Sequence, residues 1–333
     1  VELNHPTLFF LDLCALPTLC VVPKDTIQKL GDRWLTARPL PVSGAYQLGS
    51  WRVNDRIRLR KNPLYWDAAQ TRSEVVDILP CVLATTALNL YESRQVDIVW
   101  DKELVPTELA DVLRRREDFH RFDYLGTYFI RFNVTRKPFD DVRVRQALAL
   151  AIDKKRLVEK FTKAGERVAD HYVPPLLPHY KSPAGLGLDP SLARRLLAEA
   201  GFPGGKNFPR FDYLYNTGKS HEQIAVGLQE TWERELGIHV ELRQQEMKVY
   251  FQAQTRLDYD TCRSSWIGDY NDPNTFLDLF MANNGNNRTG WKSARYDALL
   301  RAANSQTDAP QREKLLQAAE SLLVREEVPI VPI

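Results

Sequence analysis

The chain has 333 residues, long enough for two domains and a sizeable core. Its 45 basic and 43 acidic residues leave a net charge of +2, which gives no electrostatic reason to expect nucleic acid or an anionic membrane as partner. Hydrophobic residues make up 44% and charged residues 26%, an ordinary globular mix, and no run of about 18 apolar residues is present to span a membrane.

Cys14, Cys20, Cys81 and Cys262 lack metal-like spacing; a Cys14–Cys20 disulfide and free thiols both remain open. The 34 aromatic residues (7 Trp, 13 Tyr, 14 Phe) are expected mostly in the core. The chain shows no signal peptide and does not begin with Met. It ends on the apolar run Val328–Ile333 with no closing turn, so both ends read as cut.

In chain order, a short helical stretch opens after Val22-Pro-Lys24. Arg56-Ile-Arg-Leu-Arg60 alternates charge and aliphatic side chains, as a strand with one wet face does. Asn62-Pro-Leu-Tyr-Trp66 reads as a turn, Val75–Leu79 as a strand, Thr85–Ser93 as a helix and Asp97–Trp100 as a strand completing an α/β unit. Tyr128–Asn133 is a further strand. Asp140 or Asp141 then caps a helix whose Val144, Leu148 and Ala151 share a face, and Asp153 starts a second helix through Phe161. Arg143 and Arg145 are read as structural anchors.

Asp189-Pro190 starts a helix that Gly201 stops. Phe211–Tyr215 is a strand, Lys219–Leu236 a helix closed by Gly237, and Ile238–Leu242 the next strand. This spacing is that of a right-handed parallel unit, whose ligands bind beyond the C-terminal strand ends. Asn216 and His221 lie at that end of the first strand. Helices at Ala294–Ala303 and Pro310–Val324 finish the chain.

The most informative stretch is Cys262–Phe280. Tyr259–Trp266 reads as a strand and Asp272-Pro273 as a helix start, with Gly268-Asp269-Tyr270-Asn271 between them. A carboxylate flanked by Trp266 and Tyr270 at a strand end suits a binding group. Asp269 with Asp272 or Asp278 does not make a glycosidase pair, because Asp272 caps the helix and Asp278 is placed on its exposed side. A calcium loop fails for want of Gly at the sixth position and Glu at the twelfth. Cys262 with His221 is a bare pair with no motif, and no G-x-S-x-G, P-loop or dinucleotide fingerprint occurs. The Asn287 sequon lies in a loop read as structural.

Arg263-x-x-Trp266-x-x-Asp269-Tyr270-x-x-Pro273 followed by Phe276-Leu277 resembles the peptide-binding segment of the periplasmic oligopeptide-binding proteins, family 5 solute receptors of peptide ABC transporters. Pro138-Phe-x-Asp-x-Arg-Val-Arg-x-Ala147 and Gly44-x-Tyr46 with Asn62-Pro-x-Tyr-Trp66 carry the same resemblance. It implies an α/β, two-lobed clamshell fold, with residues 1–125 forming part of the first lobe and 126–333 most of a second. It also implies a missing portion at each end, and extended peptides bound between the lobes and delivered to a membrane permease. The location implied is the periplasm or the outer face of the cytoplasmic membrane, the state monomeric, with no catalysis and no cofactor or metal.

Site residues follow from the match. Asp269 would receive the peptide ammonium. Arg263 and His221 would bind its carboxylate end, the arginine because its fork matches a carboxylate. His221 is otherwise a capping or surface residue. Trp266 would form a pocket wall, with Tyr270, Asn271 and Asn216 beside it. Met247 stands where some members carry Trp and Gln254 where some carry Arg, which bears on pocket size and charge. The rivals are a receptor for another solute, such as a nickel complex, an opine or a sugar, and, less favoured, a hydrolase.

Overall fold

A computed structural model describes residues 1–3, 6–163 and 165–333. Its contacts divide the chain into two compact units, Cys14–Pro106 and Val1–Leu13 with Thr107–Ile333.

In the smaller unit, β1 (Tyr46–Arg52), β2 (Arg56–Lys61) and β3 (Val75–Ile78) form an antiparallel sheet in that order. The wet face is a charge ladder. Arg56 and Arg58 both donate to Asp77, at 3.1 and 2.6 Å, and Lys61 pairs with Glu74 at 3.2 Å. Such exposed pairs position strands more than they stabilise them. Asn62 closes the following turn from within. Its Oδ1 accepts from Leu64 N at 3.1 Å and Gln47 Nε2 at 3.0 Å, and its Nδ2 donates to Gly44 O at 2.9 Å. Helices Lys24–Leu30 and Ala84–Glu92 lie where the sequence places them.

The strand expected at Asp97–Trp100 does not form. Ile98 and Trp100 are exposed, at 71% and 87%, and no strand among the described residues pairs with them. The unit is therefore an antiparallel three-stranded meander with helices, without the fourth strand that was to complete an α/β unit.

The larger unit is built on a five-stranded mixed sheet. Its strands are β4 (Gly126–Phe132), β5 (Phe211–Asn216), β6 (Val240–Gln245), β7 (Thr261–Ile267) and β8 (Ile330–Pro332), in the order β6-β5-β7-β4-β8. β5 runs parallel to β6 and β7, as the strand–helix–strand spacing requires. β4 runs antiparallel to β7 and β8.

The helix Lys219–Leu236 buries Ile224, Leu228, Trp232 and Leu236. Each such side chain contributes roughly 1.5–3 kcal/mol of burial. Trp232 satisfies its one donor on Leu148 O at 3.0 Å. Gly237 ends the helix at φ 68°, and a Cβ there would stand 2.7 Å from Gly204 O, so glycine is required on two counts. Asp141 caps the helix Val142–Leu150 and Asp189 the helix Pro190–Glu199, each accepting a backbone N–H at 2.9 Å. Arg145 anchors as expected, since its guanidinium donates to the carbonyls of Phe139, Glu327 and Val328. Asn287 is a loop hub, donating to Phe280 O and Trp291 O and accepting from Thr289 Oγ1.

Two features were not legible in advance. The helix Met247–Thr255, capped by Glu246, follows β6 directly. Glu320, on the helix Ala309–Ser321, is fully buried. Its Oε1 accepts from Tyr172 N and Val173 N, both at 2.8 Å, and its Oε2 from Tyr180 Oη at 2.7 Å. Burial outweighs these donors and pushes the carboxyl up to about 7. A carboxyl raised in the fold stabilises most when protonated. Its contribution is full below about pH 4.3, the unfolded value, and is lost as pH rises through about 7. Thermal melts of Glu320→Gln should therefore depend less on pH between about 5 and 8 than those of wild type. The difference at the alkaline end should be on the order of 3 kcal/mol in favour of Gln. Parallel pH profiles for the two proteins would show that Glu320 is ionised throughout.

Candidate functional site

Two groups of side chains gather at one end of the β5–β7 pair. The first forms where β5 ends and the helix Lys219–Leu236 begins. Arg263, on β7, is only 7% exposed. Its Nε donates to Asn216 Oδ1 at 2.6 Å and its Nη1 to Ser265 Oγ at 3.2 Å. Its guanidinium lies 5.7 Å from the Tyr128 ring and 5.4 Å from that of Tyr250. These partners are neutral or aromatic, and none of them is a carboxylate that would neutralise the guanidinium. His221, in the first turn of the helix, is buried with its ring 5.8 Å from Tyr128. Asn216, Arg263, Tyr128 and His221 thus share one neighbourhood.

The second group follows β7. Trp266 Nε1 donates to Thr275 O at 2.7 Å, and Asp269 N donates to Thr275 Oγ1 at 2.9 Å. The Tyr270 ring stacks on Phe9 at 5.0 Å and 11°, and its hydroxyl accepts from Asn274 Nδ2 at 3.2 Å. Asp272 is buried in a bidentate pair with Arg312, both contacts at 2.8 Å, and its Oδ1 also accepts from Asn274 N. Arg312 in turn lies 5.4 Å from the Phe9 ring. The loop is held from both sides, while the side chains of Asp269 and Asn271 are exposed. The helix begins at Asn274, with Pro273 just before it. Asp272 therefore caps a turn and binds Arg312, which leaves it no capacity for a metal.

Asp278 corrects an expectation. It is half-buried rather than exposed, and burial, with the charges of Asp269 and Asp272, pushes its carboxyl up to about 6. It is neutral in mildly acid solution and adds negative charge to the Asp269 side as pH rises past that value.

Met247 stands apart from both groups. It is 42% exposed at the start of its helix, on an open groove of about 630 Å³ that Phe251 and Arg256 also line. Gln254 is a buried hub rather than a pocket residue: its Nε2 donates to Tyr250 Oη at 2.6 Å and Arg263 O at 3.1 Å. The Phe9 and Arg312 contacts had no signal in sequence. A Phe near one end and an Arg in a polar helix read as ordinary.

Nucleophilic chemistry finds no support. Cys262 is fully buried among Leu214, Tyr250, Ala253 and Tyr259, and burial pushes its thiol up to about 11. All four cysteines are free thiols.

Residues 1–288 match the family described as bacterial extracellular solute-binding proteins, family 5, middle region. The chain belongs to that family. It is 35% identical over its whole length to the periplasmic oligopeptide-binding protein OppA of Salmonella typhimurium, of which it covers 62%. Among solved structures, a periplasmic oligopeptide-binding protein of Borrelia burgdorferi superimposes with a TM-score of 0.91 at 32% identity, covering 99% of this chain and 66% of the other. Haemophilus influenzae OppA in complex with RPPGFSPFR superimposes at 0.88 and 28% identity, covering 100% and 66%. The α/β fold expected from the sequence is the fold of these binding proteins. The chain spans about 62% of the length of the relatives it matches. The family is one of extracellular solute-binding proteins. Among the described residues no helix is long and apolar enough to cross a membrane.

Proposed function

We propose that this chain carries the binding machinery of a monomeric extracytoplasmic receptor that captures short peptides in extended form. The receptor then hands them to an ABC transporter permease, without chemistry on the ligand and without a cofactor. The observation that carries this reading is a pair of opposite charges at one end of a sheet. Asp269 presents an exposed carboxylate beside Trp266 and Tyr270, and Arg263 holds a buried guanidinium among neutral partners. A zwitterionic peptide complements both, with its ammonium on Asp269 and its carboxylate on Arg263 and His221. The main chain would be held as an added strand, and wet pockets would take varied side chains.

Asn216 acts through Arg263, whose fork it orients. Met247 would line a side-chain pocket on the open groove beside its helix. The lobe division near residue 125 belongs to the same reading. A neutral sugar would leave both groups without a charged partner, which weighs against it. Calorimetric titration of the full-length protein with free and end-capped tripeptides tests the reading.

A further inference from the structure

Arg131 and Arg288 stand close enough for their charges to oppose each other, and neither is ion-paired among the described residues. Arg131, on β4, is 4% exposed. Its Nε donates to Ser264 Oγ at 3.1 Å and its Nη1 to Asn286 O at 2.8 Å, with the guanidinium 5.4 Å from the Phe129 ring and 5.7 Å from that of Phe280. Arg288 lies two residues beyond Asn286, in the same loop. Its Nη1 donates to Gln254 Oε1 at 3.2 Å, its guanidinium lies 5.5 Å from the Phe251 ring, and its Nε is buried without a hydrogen-bond acceptor. No ion pair to either arginine occurs among the described residues, where most other buried or half-buried arginines find acids or several carbonyls.

Loop flexibility does not explain the arrangement. Asn286 O is held by Arg131 and Arg288 O by the Tyr259 hydroxyl, so the loop backbone is fixed on both sides of the side chain. An arginine does not release its proton under ordinary conditions. Burial and the charge of Arg131 both disfavour the charged form of Arg288. A guanidinium that must stay charged, is partly desolvated, faces a second cation and keeps an unmet donor is a poor structural element. It is a good receiver for an anion. Phe251, whose ring Arg288 faces, also lines the groove beside Met247, and Arg288 is itself half-buried.

We infer that Arg288, backed by Arg131, forms an anion subsite that receives a carboxylate from a ligand side chain and biases the receptor toward acidic peptides. The inference rests on the peptide reading above. It adds a selective position distinct from the Arg263 group that faces the peptide's end. Gln254 is a positioning residue here: its carbonyl holds one arm of the Arg288 fork, and its amide fixes it to β7.

The test uses the full-length protein and three peptide pairs: Glu-Ala-Ala against Gln-Ala-Ala, Ala-Glu-Ala against Ala-Gln-Ala, and Ala-Ala-Glu against Ala-Ala-Gln. Wild type should favour Glu over Gln at one position by about tenfold or more, the scale of a charge-assisted hydrogen bond. Arg288→Gln should remove that preference. Arg288→Lys should keep part of it. Equal binding of Glu and Gln peptides at all three positions, or a preference that survives Arg288→Gln, overturns the inference and leaves the peptide reading intact. Failure of all six peptides to bind sinks the peptide reading instead. The subsite is then read from thermal melts with sodium glutarate against sodium chloride at equal ionic strength. Stabilisation by glutarate that Arg288→Gln abolishes supports the anion subsite, and no difference between the salts overturns it.

Discussion

Asp269→Ala should weaken binding of free-amine peptides by some tens- to thousands-fold. The carboxylate is exposed at the end of β7, beside Trp266 and Tyr270, and its backbone is fixed by Thr275. A bound peptide would cover it, and a covered carboxylate without a cation is costly. The peptide α-amino group has an ordinary pKa of about 7.7–8.0, so it is mostly charged at neutral pH and supplies that cation. Removing one partner of a desolvated charge pair costs roughly 2–5 kcal/mol, and each 1.4 kcal/mol or so is tenfold in affinity. N-acetylated peptides should bind wild type comparably poorly and lose little more on mutation. Calorimetry on the four combinations of protein and ligand measures the coupling. Strictly additive losses would mean that Asp269 and the ammonium do not meet, and that Asp269 serves only the loop.

Arg312→Ala should destabilise the fold by about 3–5 kcal/mol, because it strands the buried Asp272 carboxylate. Asp272→Ala, which strands the guanidinium, should cost a similar amount. The paired change Asp272→Leu with Arg312→Met should recover much of the loss, since an apolar pair of similar volume replaces a buried ion pair at little cost. The same pair fixes the 269–274 loop, through Asn274 N on Asp272 and Phe9 against Arg312 and Tyr270. The single mutants should therefore bind peptide more weakly even where they remain folded. Urea unfolding of the four proteins checks the energetics. Single mutants within about 1 kcal/mol of wild type would place the pair among ordinary surface bridges.

How far the sequence reached depended on the range of the physics. The helix Lys219–Leu236 was legible to the residue, because its apolar period and its closing glycine are both local signals. So was the cap at Asp189, while Asp141 is one of two adjacent candidates that the sequence leaves open. The helix Met247–Thr255 was not, since it buries only Tyr250, Ala253 and Gln254 and leaves Val249 and Phe251 exposed, which blurs the period. Asp97–Trp100 had the composition of a strand, yet a strand also needs a partner, and composition does not supply one.

In the site, Asp269, Arg263 and Trp266 could be named because the strand–loop–helix arrangement and the family resemblance fall on the same residues. The partners that hold them were out of reach. Arg312 lies 40 positions from Asp272, and Phe9 lies near the other end of the chain. Asp278 was placed on the wrong side because a single turn of helix, Asn274–Leu277, is too short for periodicity to orient it. Arg288 lies in a loop read as structural, and only its buried Nε without an acceptor marks it.

The most direct test of the account is a calorimetric titration of the full-length protein with Ala-Ala-Ala in two forms, one with free ends and one acetylated and amidated. The two charged groups at the ends of β5 and β7 predict saturable one-to-one binding of the free tripeptide. They also predict loss of most of that affinity when both ends are capped. Equal binding of the capped and free forms, or no binding of either, would contradict the assignment of Asp269 and Arg263 to the two ends of a peptide.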